Sequence, residues 1–157
     1  MLAPIEKSIE VPCDQKTAFT VFVEEMHTWW PLGKFTLSAM NGAPAKTIRI
    51  DARVGGQITE VGSDDTETSW GHIETFDPHG FVSMRFNIPV PNYDGDGRTL
   101  LELTFTSIDT GTRVDLKQSD WEAMGDMAEG VHGGYDHGWV MIFEGAYAEA
   151  CAAKARS

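Results

Sequence analysis

The sequence predicts an α+β domain in which an antiparallel sheet of six to seven strands wraps on a long C-terminal helix. Three observations lead there. Short runs through the middle of the chain alternate apolar and polar residues at period two. Glycine- and aspartate-rich turns separate these runs closely, so neighbouring strands are joined as hairpins. The final segment, residues 123–153, changes to a helical period. A length of 157 residues matches one domain spanning residues 1–157, large enough to fold with neither a disulfide nor a structural metal.

The elements follow in order. Ile5, Ile9 and Val11 share one face of a first strand, Glu6, Ser8 and Glu10 the other, and Pro12 closes it. Over residues 14–26 the apolar Ala18, Phe19, Phe22, Val23 and Met26 recur at helical spacing, with Asp14 suited to cap the start. This helix is expected to end near His27. The following Trp29, Trp30, Pro31, Leu32, Gly33 is too apolar for a solvated loop and too broken for a long helix, which predicts a lid over the core. Strands are predicted at residues 46–51, 56–61, 68–76, 81–88, 99–108 and 113–118. Val82, Met84, Phe86 and Ile88, then Leu101, Leu103 and Phe105, then Val114 and Leu116 each lie on one face of a strand, so one side of the sheet must be covered.

The cover is the C-terminal segment, whose stripe is Met124, Met127, Val131, Tyr135, Trp139, Ile142, Ala146 and Ala153. Gly130, Gly134, Gly138 and Gly145 fall within a sector of roughly 80° along one edge of it. Each interior helix glycine costs about 1 kcal/mol relative to alanine, so four on one face call for a purpose. Bulky Tyr135, Trp139, Met127 and Met141 flank the strip and would hold the backbone away from the sheet. The expectation is a cavity between helix and sheet.

Twelve Lys plus Arg against 24 Asp plus Glu leave a formal charge of −12, a sign that repels a phosphate backbone or an anionic membrane surface. No nucleic-acid partner is expected. No run of 18 apolar residues occurs, and the opening MLAPIEKSIEVP has no basic region ahead of an apolar stretch. Neither membrane insertion nor export is expected. Cys13 and Cys151 have no metal or disulfide spacing, which predicts a reducing, cytoplasmic setting.

Strand, helix, multistranded antiparallel sheet and long C-terminal helix, in that order, resemble the helix-grip fold of the START-like, or SRPBCC, superfamily, shared by birch-pollen-allergen-like proteins. Within it the sequence resembles the stand-alone bacterial form of the activators of the heat-shock-protein ATPase. The residues that carry the likeness are Ile9-Glu10-Val11-Pro12 with Ala18-Phe19, Trp29-Trp30-Pro31-Leu32, Arg53-Val54-Gly55-Gly56, Trp70-Gly71, Phe76-Asp77-Pro78, Leu103-Thr104-Phe105 before Gly111-Thr112-Arg113-Val114, and Gly138-Trp139. The chaperone activators carry an extra N-terminal domain, for which 157 residues are not expected to leave room. The resemblance implies an internal pocket for a lipid, polyketide, steroid or similar apolar ligand.

Candidate ligand-binding residues are Trp29, Trp30, Trp70, His72, Glu60, Met84, Phe86, Tyr135, Gly138 and Trp139. The Trp29–Trp30 pair, placed in a loop, is expected at the cavity mouth. By alternation Trp70, His72, Glu74 and Phe76 share one face, opposite Ser69, Gly71, Ile73 and Thr75, and either set can be the inner one. An inward His72 is a ligand anchor or acid/base, an outward one an exposed strand histidine. Glu60 carries the same ambiguity.

His132 and Asp136, with Glu129 a turn earlier, lie off the apolar stripe and read as a solvated face, so no metal is expected. Asp94-Gly95-Asp96-Gly97 lacks the later glutamate of a calcium loop and reads as a hairpin turn. No GxSxG elbow, Walker loop, dinucleotide fingerprint or HExxH occurs, so catalytic residues stay unassigned and no cofactor is expected. Three functions remain: non-catalytic binding of an apolar small molecule; a cyclase, hydratase or hydrolase using His72 or Glu60; and a stress-related interaction, as a homodimer or with a chaperone, through Trp29 and Trp30.

Overall fold

A computed structural model of the chain describes residues 2–91 and 97–156. Asp94, Gly95 and Asp96 of the expected hairpin turn lie outside the described residues. The strands are β1 (Ile5–Val11), β2 (Thr47–Ile50), β3 (Gln57–Val61), β4 (Glu67–Asp77), β5 (Phe81–Phe86), β6 (Thr99–Ile108) and β7 (Gly111–Ser119). They form one antiparallel sheet of order β1-β7-β6-β5-β4-β3-β2, so hairpins join successive strands from β2 to β7 and β1 returns to the far edge. Helices α1 (Gln15–Val23), α2 (Met26–Trp29) and α3 (Leu37–Met40) link β1 to β2. Asp14 caps α1 by accepting from the Thr17 N–H at 2.8 Å, and the expected single helix over 14–26 is interrupted before Met26. After β7 a 3-10 segment (Trp121–Met127) kinks at Gly125 before α4 (Ala128–Met141).

The long C-terminal helix is therefore shorter at its start than expected, and it changes character inside. Residues Ile142–Tyr147 form a π-helical turn that leads into α5 (Ala148–Arg156). A π turn adds one residue and rotates the helix beyond it by about 100°. The inward stripe accordingly runs Tyr135, Trp139, Phe143, Tyr147, Cys151. Ala146 is only half-buried and Ala153 is exposed, against the uniform period expected from sequence.

A second departure is in β4. Trp70 and Ile73 are both fully buried, and Phe76 packs on Phe19 with ring centres 5.5 Å apart. Inward residues thus recur at every third position, because the register slips twice: between Ile58 and Thr59 opposite Trp70, and between Ile73 and Thr75 opposite β5. Gly71 makes the first slip possible. It sits at φ +145°, and a Cβ there would lie 1.7 Å from the Arg85 carbonyl oxygen. Neither of the two alternating sets expected from sequence shares a face. His72 pairs with Arg85, whose neighbours Met84 and Phe86 point inward, so His72 lies on the outer face.

Between helix and sheet, aromatic rings pack against one another. Trp30 packs on Trp70 with ring centres 5.1 Å apart and on Trp139 at 6.1 Å, while Trp139 stacks on Tyr135 at 6.0 Å. A chain of buried hydrogen bonds runs through this contact. The Trp139 indole donates to Gln118 Oε1 at 2.8 Å, Gln118 Nε2 to Thr99 Oγ1 at 2.9 Å, and the Thr99 hydroxyl to the Phe86 carbonyl at 2.6 Å. Farther along, the Tyr147 hydroxyl donates to the Ala18 carbonyl at 2.7 Å. Among the described residues no buried side-chain nitrogen or oxygen lacks a partner.

Three outcomes test this packing. Gly71→Ala should lower unfolding stability by about 3 kcal/mol, read from the urea midpoint, since the substitution forces the backbone off its bulge. Trp139→Phe should lower it by about 2 kcal/mol, because the Gln118 acceptor loses its donor in a dry site. Burial pushes the Cys151 thiol from 9.0 up to about 12 and raises the Tyr135 and Tyr147 hydroxyls above 10.0. The unfolded chain therefore ionises first. Stability should hold below pH 9 and fall as pH rises from 9 toward 12; a flat urea midpoint across that range would contradict the burial of these groups.

Candidate functional site

A cleft of about 680 Å³ opens along the flank of α4. The lid, which in the structure runs on from residue 29 through α3 to residue 40, supplies one wall through Phe35 and Met40. Ile88 and Val90, which follow β5, supply a second. The third is α4 itself: Gly130, Gly134 and Gly138 run along it, with Val131, Tyr135 and Ile142 to either side. A Cβ at Gly130 or Gly134 would meet nothing within 4 Å, and one at Gly138 would touch only the Phe35 ring, at 3.5 Å, and Ile142. Gly130 and Gly134 thus expose bare helix backbone to open space and widen the cleft, whereas buried Gly138 lets the Phe35 ring seat against the helix.

The cavity expected between helix and sheet is corrected by this geometry. The glycine strip faces the lid, one side of the helix away from the sheet. Gly145 takes no part in the cleft, lying in the π turn beyond it. The lining is apolar apart from Asp126 and His137 at the rim and the Tyr135 side chain. Tyr135 is fixed rather than free: its hydroxyl donates to Asn87 Oδ1 at 3.1 Å and accepts from the Ile88 N–H at 2.7 Å. Burial holds its proton above the usual phenol range. Met40 and Met127 stand at the opening, 45% and 38% exposed. Flexible thioether side chains there suit a surface that adapts to a guest.

The sequence candidates divide. Tyr135 and Gly138 line the cleft. Trp70, Met84, Phe86 and Trp139 are buried in the core behind it. Trp29 and Trp30 do not form the mouth: the Trp29 indole donates to the Val21 carbonyl at 2.8 Å and the Trp30 indole to the Phe35 carbonyl at 2.9 Å, which buries both. Trp30 instead holds the Phe35 backbone from behind. His72 is on the outer face of the sheet, remote from the cleft lining. Glu60 is buried, with its carboxylate occupied by donors from the lid and Trp70.

His132 and Asp136 have separate partners, the Ala3 carbonyl at 2.9 Å and Lys7 at 3.3 Å. No group of three or more metal-ligating side chains occurs among the described residues. Nor is any helix there long and apolar enough to cross a membrane. Phe35, Met40 and Val90 escaped the sequence reading. Phe35 and Val90 lie in irregular segments and Met40 ends the four-residue helix α3, all too short for a periodicity to mark a face, and only their apolar character between turns hinted at a use.

The arrangement can be set beside known proteins. Comparison with curated proteins yields no significant match. Among solved structures, an anthrahydroquino-γ-pyrone synthase, Txn09, complexed with SUM, is 28% identical over 86% of this chain and 88% of its own, with a TM-score of 0.59. The self-sacrificing resistance protein CalC from Micromonospora echinospora is 24% identical over 96% of this chain and 95% of its own, at a TM-score of 0.69. A Staphylococcus aureus protein of unknown function covers 99% of this chain and 96% of its own, with 15% identity and a TM-score of 0.65. The last two establish the fold alone, the curled sheet and C-terminal helix of the helix-grip type. The sequence profile of activator of Hsp90 ATPase homolog 1-like proteins matches residues 14–145. With most of the chain inside that match, and the sheet and grip helix in place, the protein belongs to the activator of Hsp90 ATPase homolog 1-like family.

Proposed function

We propose that this protein binds an apolar small molecule, of the fused-ring polyketide kind, in the cleft between the lid and α4, without transforming it. The observation that carries the reading is the row Gly130, Gly134, Gly138 opening onto a cleft with apolar walls. A helix gives up about 1 kcal/mol for each such glycine, and the return here is a flat backbone wall with room beside it. The volume of about 680 Å³ lies in the range of pockets that enclose drug-sized molecules. A flat wall facing an aromatic one, Phe35, suits a planar ring system. The likeness to a protein named an anthrahydroquino-γ-pyrone synthase supports the same ligand class.

The placement of the two groups considered for acid/base work favours binding over catalysis; the titratable side chains that do line the cleft are Asp126 and His137 at its rim and Tyr135, whose hydroxyl is already bonded to Asn87 and Ile88. Neither His72, on the outer face, nor Glu60, saturated with donors, is within the cleft lining, so the acid/base roles considered for them have no substrate to act on. Contact with a partner through Trp29 and Trp30 has as little support, since both are buried. The two free thiols are in keeping with action in the reducing cytoplasm.

The test is fluorescence titration with Nile red, a planar apolar dye. The wild type should bind it, and Gly134→Leu, which places a side chain in the open cleft, should weaken binding about tenfold or more. The same substitution should leave the melting temperature unchanged or higher, because leucine is the better helix former. Unchanged dye affinity in a folded Gly134→Leu variant would remove the cleft as the binding site.

A further inference from the structure

Glu60 is a buried carboxylate that the cleft does not use directly. It stands on β3, 1% exposed. Oε1 accepts from the Leu37 N–H at 2.9 Å and the Trp70 indole at 3.0 Å, and Oε2 from the Ser38 N–H at 2.7 Å and the Ser38 hydroxyl. Three of these four donors belong to the start of α3. A carboxylate removed from water is costly unless its acceptor sites are met, and it offers about four. This site therefore holds its shape only while α3 is docked.

Helix α3, for its part, has no buried residue. No apolar side chain anchors it in the core. It turns on Thr36, which is buried, donating its hydroxyl to the Leu32 carbonyl at 3.0 Å and accepting from the Ala39 N–H at 3.0 Å. Its link across to the sheet is Glu60. Met40, at its far end, and Phe35, just ahead of it, form the outer wall of the apolar cleft. On another face Leu37, Ser38 and Asn41 border a second, polar pocket of about 300 Å³ that reaches Glu60. Water in that pocket can take over the carboxylate when α3 lifts, so opening does not strand a dry charge.

We infer that Glu60 is a positioning residue that latches α3 shut over the cleft, so that release of α3 from Glu60 sets how fast an apolar ligand enters and leaves. The inference rests on the cleft being the binding site. Glu60→Gln keeps the shape but turns one acceptor into a donor, setting it against N–H or O–H groups that already donate. Ser38→Ala removes a single donor and leaves the carboxylate and the fold in place.

The experiment combines amide hydrogen exchange with stopped-flow Nile red binding on the full chain. In Glu60→Gln the Leu37 and Ser38 amides should exchange about tenfold faster or more, while the amides of β5, β6 and β7 keep their wild-type rates. Association and dissociation of Nile red should both accelerate about tenfold, with Kd moving less than about threefold. Ser38→Ala should shift the same quantities in the same direction by less, and it decides the matter if Glu60→Gln does not fold. Unchanged exchange at Leu37 in both variants would overturn the latch. So would faster exchange there with dye kinetics at wild-type values, provided Gly134→Leu weakens dye binding about tenfold or more. If Gly134→Leu leaves dye binding intact, the failure is that of the cleft as the binding site.

Discussion

The hydrogen bond from the Trp139 indole to Gln118 fixes the C-terminal helix on the sheet, and the remaining geometry follows from it. A tryptophan buried to its nitrogen needs an acceptor in the core, and Gln118 provides one only at a single height and rotation of the helix. Gln118 is in turn held by Thr99, and Thr99 by the backbone of β5. The helix is thus keyed to three strands at once. Tyr135, bonded at Asn87 and Ile88, and Tyr147, bonded at Ala18, repeat the device at either side. Each places a large apolar ring in the interface and spends its one polar atom on orientation.

Once the helix is keyed this way, its glycines have no choice of neighbour. With Tyr135 and Trp139 turned to the sheet, Gly130, Gly134 and Gly138 are turned to the flank, where the lid stands off and leaves a cleft. The aromatic cluster of Trp30, Trp70, Phe86 and Trp139 packs ring against ring and forms a floor behind it. Packing on that side contrasts with the lid, whose short helix α3 rests on polar contacts. A binding site with one fixed wall and one held by a few hydrogen bonds can admit a guest without disturbing the core.

Much of this was legible in the residues. The alternation of Val82, Met84 and Phe86, and of Leu101, Leu103 and Phe105, gives the inner face of two strands without ambiguity, and Asp14 marks the start of α1 as a cap. The glycine strip pointed to empty space. What alternation cannot convey is a change of phase. Trp70, Ile73 and Phe76 all point inward because two bulges shift the count, and the first depends on a positive φ at Gly71 that looks like any other strand glycine. The π turn does the same to the helix, replacing Ala146 by Tyr147 on the inner face. Glu60 was ambiguous for a different reason: three of its four donors, on Leu37 and Ser38, lie more than twenty residues away in sequence, in a segment with no periodicity.

The central claim is that the ligand sits beside the helix, between α4 and the lid, and not between helix and sheet. An amide-resolved NMR titration of the intact protein with Nile red tests it most directly, since glycine amides occupy their own region of the spectrum. The account predicts that Gly130, Gly134 and Gly138 shift together with Phe35 and Met40, while Met84, Leu101 and Leu116 in the sheet stay in place. Shifts concentrated on Met84, Leu101 and Leu116, with the glycines silent, would contradict it.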